Sequence, residues 1–324
     1  MITIKGPNPF AWNPESFQVS VKKINSSVFT SFLNANASKQ PGILIITGEL
    51  GVGKTIYLRN FRHEAEKAGV FCTYVKMEKG EDEIDLVDKM FQEEKNLDDA
   101  IDHLSSYSNE GIMFIDGVDR IKKTDQVARK LVNKVSSYWG KKKFSIVMSS
   151  VRPLKIPNDE AKTINLTAFN ENDMQEMVRN TLKDKEIKMG RECLRSILND
   201  SSGNPRVVLL ICWHIYEKIR DNEKIITKSH YLNYLPYIMT MLSNEWFGEI
   251  YHETSKSERQ ILKILAKNID GIHVSQIAKK LKKPLGPTST LTMRLVNSGQ
   301  VIRVERGEYK IFSALYGRYV LQRS

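Results

Sequence analysis

A glycine-rich loop between an apolar run and a helical run constrains this chain more than any other feature. Gly48, Glu49, Leu50, Gly51, Val52, Gly53, Lys54 and Thr55 satisfy the spacing G-x-x-x-x-G-K-[ST]. Ile43–Thr47 before it reads as a buried strand, and Ile56–Gly69 after it as a helix. The loop is thereby confined to a strand-to-helix turn. Its glycines let the backbone fold back so that N–H groups converge, and the helix start adds free donors and a positive dipole end. Such a turn cradles phosphate. Lys54 is placed for the β- and γ-phosphates and the Thr55 hydroxyl for a hard metal ion. The spacing implies a nucleoside triphosphate site for ATP or ADP with Mg2+, built from Gly48 through Ile56.

A metal site of this kind needs a carboxylate at the end of a neighbouring strand. Asp116, after the apolar run Ile112–Ile115, supplies it and is expected to hold Mg2+ together with Thr55. The first half of the chain alternates short apolar runs with helical patterns. Strands are predicted at Ile43–Thr47, Val70–Val75, Ile112–Ile115, Phe144–Ser149 and Thr163–Leu166. This alternation predicts an α/β fold with a mostly parallel sheet core. The stretch 76–110 carries 12 Asp/Glu and 4 Lys and reads as helices on the outer face of the sheet. From Glu171 the period is helical without a strand signal, with helices at 171–182, 191–199, from Asn204 through Ile219, and at 230–251. The predicted domains are 1–168, 169–252 and 253–324.

No apolar run approaches the roughly 20 residues of a membrane span, and the N-terminus lacks a secretory pattern. A cytoplasmic protein without membrane association is expected. Cys72, Cys193 and Cys212 are too far apart for a metal cluster and suit a reduced compartment. The net charge of +11 is unevenly placed. Residues 255–324 hold 14 Lys/Arg and 4 Asp/Glu, a balance of +10; the other 254 residues hold 35 and 34, a balance of +1. A basic module on a neutral body suggests a polyanionic partner.

Within that module, helices are predicted from Ser255, at His273–Leu281 and at Thr288–Asn297, with a turn over Lys282–Pro287. Two short strands, Val301–Val304 and Tyr309–Ile311, flank a turn at Arg306-Gly307. The pattern resembles a winged helix with Thr288–Asn297 as recognition helix. Double-stranded DNA is the expected partner. Lys279, Lys280, Lys282 and Lys283 are placed for phosphates, Thr288, Ser289, Thr290, Thr292 and Arg294 for a groove, and Arg306 for the minor groove. A winged helix used for protein contacts, its lysines solvated, is the alternative.

With these motifs the chain resembles the AAA+/STAND branch of P-loop ATPases. The resemblance implies a P-loop core, a small helical lid and a C-terminal winged-helix domain. Many AAA+ proteins have an acid directly after the metal-binding Asp; this chain has Gly117, which implies slow hydrolysis, and a glutamate at 117 is expected to speed turnover if water activation is limiting. The pattern Ile115-Asp116-Gly117-Val118-Asp119 is similar to the STAND switch ATPases, which implies that Asp119 orients water; capping a helix is its other reading. Ser149 or Ser150 would sense the γ-phosphate. Arg152 matches an arginine that STAND proteins place after this strand, or simply pairs with a surface carboxylate. Arg120, Arg129 and Arg152 are equal candidates for a finger in trans. Pro205 and Arg206, after Gly203-Asn204, match the lid motif over adenine and phosphate. Residues 8–17, NPFAWNPESF, are similar to helper ATPases of replication and transposition. The resemblance to archaeal initiators and winged-helix ATPases implies an ATP-switched DNA-binding ATPase, initiator- or loader-like, with self-association or a protein partner possible. A STAND-type signalling or defence switch is the alternative.

Overall fold

Five apolar runs become five parallel strands. In the computed structural model, which describes residues 7–10, 26–40, 42–91, 94–108, 110–156 and 161–323, they are β1 (Ile43–Gly48), β2 (Phe71–Lys76), β3 (Glu110–Asp116), β4 (Lys143–Ser150) and β5 (Lys162–Leu166). Their order is β2-β3-β4-β1-β5. The three inner strands are buried along nearly their whole length, whereas the edge strands β2 and β5 are partly open. Continuous apolar runs are what strands covered on both faces require.

This sheet belongs to one compact unit, Lys23–Gly48 with Gly53–Leu166. Helices α1 (Ser26–Ala37) and α2 (Lys54–Lys67) lie with it, and Phe29 of α1 stacks on Phe61 of α2 at 4.2 Å between ring centroids. Helices α3 (Glu83–Met90), α4 (Leu97–Ser106) and α5 (Thr124–Ser136) share a core with Ile43, Ile45, Met113, Ile115, Ile146 and Met148. The acidic stretch forms α3 and α4 as predicted. Leu86, Val87, Ala100, Ile101 and Leu104 turn inward, and the acids lie outward, where Glu81, Glu83 and Asp102 pair with Lys89, Lys130 and Lys134.

The second unit comprises Met1–Lys22, Glu49–Val52 and Thr167–Ser324. Its helices are α6 (Glu171–Thr181), α7 (Arg191–Ser201), α8 (Pro205–Lys218), α9 (Lys228–Leu242) and α10 (Gly248–His252). Asn170 caps α6 in a reciprocal box with Asp173. Two departures from the sequence reading occur here. A pair of two-residue strands, β6 (Lys188–Met189) and β7 (Ile225–Ile226), joins in parallel where only helix was expected. The helix expected over 230–251 is interrupted by a π-turn at Ser243–Phe247. Pro236 removes a donor within α9, and the hydroxyls of Thr240 and Ser243 bond back to the carbonyls of Pro236 and Met239 at 3.1 and 2.6 Å. Both effects loosen the regular ladder.

The basic segment lies in this same unit. It contains α11 (Lys256–Ala266), β8 (Ile272–His273), α12 (Val274–Leu281), α13 (Leu285–Asn297), β9 (Val301–Glu305), β10 (Glu308–Ile311) and α14 (Ala314–Gln322). The strands form an antiparallel sheet in the order β8-β10-β9. Helix α13 starts at Leu285, so the turn expected over 282–287 shrinks to Lys282–Pro284. Pro287 is tolerated because the first helical turn has no intrahelical partner for its N–H groups. Aromatic rings of α14 pack inward: Tyr316 and Tyr319 lie with Phe247, and Arg318 pairs with Asp200 of α7 at 2.6 Å.

The β9–β10 turn depends on one glycine. Gly307 has φ 85°, and a Cβ there would meet His273 Nε2 at 2.3 Å. Gly307→Ala is expected to destabilise this module by about 1–3 kcal/mol, read as an earlier transition in thermal unfolding; an unchanged melt would mean that the turn relaxes freely.

Candidate nucleotide site

The geometry centres on Asp116. This carboxylate, 6% exposed at the end of β3, accepts three hydrogen bonds from three elements. Thr55 Oγ1 from the start of α2 donates to Oδ2 at 2.7 Å, Tyr74 OH from β2 donates to Oδ2 at 2.9 Å, and Ser149 Oγ from β4 donates to Oδ1 at 2.6 Å. Ser149 Oγ in turn accepts from Gly117 N at 2.8 Å. A buried carboxylate requires such partners. Burial and the Asp116 carboxylate both push the Tyr74 phenol well above its ordinary value, so the ring hydroxyl keeps its proton and donates it.

The loop residues are held by both backbone geometry and side-chain bonds. Gly53, at φ 100°, precedes the first residue of α2, and Lys54 Nζ reaches back to the Gly48 carbonyl at 2.7 Å. Residues Glu49–Val52, in the second unit, are held there by α8: Asn204 Nδ2 donates to the Leu50 carbonyl at 2.7 Å, and Arg206 N to the Gly51 carbonyl at 3.1 Å. With two carbonyls held by donors, those peptide planes are fixed. Gly51 has φ 82°, and a Cβ on it would lie 2.7 Å from Asn204 Oδ1 and 3.0 Å from Trp246.

The donor chemistry fits Mg2+. Thr55 and Asp116 offer a hydroxyl and a carboxylate, both hard oxygen ligands. Among the described residues no group of three or more His, Cys, Asp or Glu side chains could hold a metal. An ion that takes one carboxylate, waters and substrate phosphates suits this arrangement better than one that needs a full protein cage.

The remaining predicted residues are placed as follows. Asp119 Oδ1 accepts from Val151 N at 2.9 Å, which fixes it at the tip of β4. Ser150 is fully buried and its hydroxyl donates to the Arg152 carbonyl at 2.6 Å. Arg152 pairs with Asp125 at 2.9 Å, the surface-carboxylate arrangement weighed for it. Arg120 pairs with Glu78 at 3.3 Å, and Arg129 donates to the Lys155 carbonyl at 2.8 Å. Ile56 is buried in the first turn of α2. Pro205 is buried at the start of α8, and Arg206 lies over the Trp246 ring at 4.3 Å. The phrase at 8–17 falls mostly outside the described residues; Asn8 bonds to Glu217 at 2.8 Å. Tyr74 and Trp246 carried no motif and were not expected; Asn204 was read as the entry to α8, but its bond to Leu50 was not expected.

Gly117 requires a correction. It has φ 83°, a backbone that disfavours any side chain, and a Cβ would meet Arg120 Cδ at 3.0 Å. A glutamate at this position is therefore not a simple restoration of an acid.

Residues 37–155 match the family model described as AAA domain. The core is an α/β P-loop NTPase. No curated protein matches the chain by sequence. Among solved structures, the Walker-type ATPase of Pyrococcus abyssi is similar with a TM-score of 0.67 at 12% identity, over 95% of this chain and 100% of that one. The Aeropyrum pernix ORC1 protein in complex with DNA gives 0.54 at 12% identity, over 95% and 93%. The RuvB Holliday junction branch migration motor of Thermotoga maritima gives 0.52 at 14% identity, over 90% and 91%. At these identities the likeness shows the fold alone.

Two outcomes follow from this geometry. Tyr74→Phe is expected to raise the Mg2+ concentration for half-maximal nucleotide hydrolysis roughly tenfold, the equivalent of about 1.5 kcal/mol for a hydrogen bond to a charged group. Nucleotide binding without metal should be retained, and an unchanged Mg2+ requirement would remove the role of the phenol. Gly117→Glu is expected to lower stability by about 1–2 kcal/mol, measured by denaturant unfolding, instead of speeding turnover.

Proposed function

We propose that the chain is an ATP-binding, slowly hydrolysing switch ATPase that binds double-stranded DNA through its basic C-terminal module. The observation that carries the DNA part is the state of Lys279, Lys280, Lys282 and Lys283. All four are exposed at and after the end of α12, just before α13, and none is paired with a carboxylate among the described residues. Unopposed cations at this point of a helix–turn–helix suit the phosphates of a duplex. In this reading residues 1–168 are the ATPase domain, 169–252 the lid and 253–324 a winged helix, with α13 as recognition helix.

The face of α13 is narrower than the sequence suggests. Thr288 and Thr292 are buried and donate to the carbonyls of Pro284 and Thr288 at 2.9 and 2.8 Å. They belong to the packing of the module. Ser289, Thr290 and Arg294 remain for a groove, and Arg306 for the minor groove from the exposed β9–β10 turn.

In the ATPase part, Gly48–Ile56 bind the triphosphate, with Lys54 on its β- and γ-phosphates. Thr55 and Asp116 hold Mg2+, which supplies charge neutralisation for phosphoryl transfer. Asp119 orients the attacking water, Ser149 and Arg152 respond to the γ-phosphate, and Pro205 and Arg206 are the lid contacts to nucleotide. With glycine directly after Asp116, hydrolysis is slow and acts as a timer, and nucleotide state sets the grip on DNA. The rival reading, a STAND-type signalling or defence switch, draws on the same Asp119 held at Val151, with the basic module then making protein contacts.

Duplex binding by the full chain should weaken steeply with salt, with a slope near −0.9 for each phosphate contacted; filter binding from 50 to 200 mM salt measures it, and a flat response would favour the rival. Asp119→Asn should lower hydrolysis about a hundredfold and spare ATP binding; retained turnover would remove its assigned role.

A further inference from the structure

A cleft of about 690 Å³ opens between α11 and the end of α12. Four lysines line it: Lys263 in α11 and Lys267 at its C-cap, and Lys280 in α12 and Lys283 just beyond its end. No carboxylate lines it, and among the described residues none of the four lysines pairs with one. Lys283 Nζ donates to Gln260 Oε1 at 3.1 Å, a neutral partner that leaves the charge uncancelled. The negative dipole ends of α11 and α12 offset only about half a charge each. Four cations therefore leave an excess in the cleft.

The helices beside the cleft are anchored by their buried stripes. Ile261, Leu262, Leu265 and Ala266 bury the opposite stripe of α11, and Ile277 and Ala278 bury that of α12. Ile264 and Leu281 also line the cleft and offer the lysine stems an apolar floor. Lys263 and Lys267 stand four residues apart, about 6 Å along a helix axis, so the charge is spread along the cleft. The Asn268 amide is committed to the Ile264 carbonyl at 2.6 Å. The lining holds no aromatic ring to stack a base. Distributed cations without base-reading groups suit a run of phosphates.

We propose that this cleft is a second phosphate-binding surface, which grips the backbone of duplex DNA through Lys263 and Lys267 in addition to the contacts at α13. The inference rests on the duplex-binding reading and extends the footprint to α11, a helix to which no contact is otherwise assigned. Its contribution is independent of base sequence and strongly dependent on salt.

The test compares the full chain with the pair Lys263→Glu/Lys267→Glu and with the pair Arg294→Ala/Arg306→Ala, on duplexes of several sequences over a salt series. For the cleft pair, affinity should fall about tenfold on every sequence and the salt slope should become shallower by about 1.8, two phosphate contacts. Unchanged affinity and slope in the cleft pair, with weakened binding in the Arg294/Arg306 pair, overturn the cleft and leave duplex binding standing. Absence of salt-dependent duplex binding by the unmodified chain overturns both. Should charge reversal unfold the module, Lys263→Gln/Lys267→Gln removes the same two cations: a slope shallower by the same amount supports the cleft, and an unchanged slope overturns it.

Discussion

The bonding of Asp116 is the constraint on which the nucleotide site depends. A carboxylate this deeply buried is costly unless its oxygens are satisfied. The three donors come from α2, β2 and β4, so satisfying it fixes the relation of three elements to β3. Strand register is what delivers them. β2 and β3 pair with Tyr74 opposite Phe114 and Lys76 opposite Asp116; β4 pairs with Ile146 opposite Met113 and Met148 opposite Ile115. A slip of one residue in either ladder would turn Tyr74 or Ser149 to the opposite face. Gly117 then diverts the chain at φ 83° while its N–H returns to Ser149. The site and the sheet register are thus one structure, and the backbone at 117 disfavours any side chain there.

Local rules made the loop, the five strands and Asp116 legible. The glycine spacing and the apolar runs each depend on residues adjacent in sequence. Tyr74 was not legible, because its role follows from β2 neighbouring β3, a fact of strand order. Trp246, and the bond that Asn204 makes beyond starting α8, escaped for the same reason: they meet Gly51 and Leu50 across about 150 to 200 positions of chain. Ser149 was legible as a residue but not as a bond, since its hydroxyl orients Asp116 and the Gly117 backbone together.

The threonines of α13 show a different limit. Small polar residues on a basic helix invite assignment to an exposed face. Thr288 and Thr292 instead lie on the buried stripe with Leu295, because each hydroxyl is satisfied by a carbonyl four residues earlier in its own helix. A threonine so satisfied behaves in packing much like a valine. Composition alone cannot separate the two cases, whereas the helical period could, once the helix is seen to begin at Leu285.

Charge was legible as a total but not as a pattern of compensation. In the sheet unit, cations such as Lys76, Lys89, Lys130 and Lys134 each sit on a carboxylate. From Ser255 onward, Arg318–Asp200 is the one such pair made by Lys or Arg among the described residues. Exposed pairs contribute only about 0–1 kcal/mol each, so this difference has little to do with holding either unit together. Its consequence is the field outside the protein. Paired charges cancel within a few ångströms, whereas the unpaired lysines of α11 and α12 act together over the roughly 8 Å that physiological salt allows. A field of that range arises from several cations at once, so the phosphate binding proposed for this module would be a property of the lysine cluster, with no single lysine indispensable.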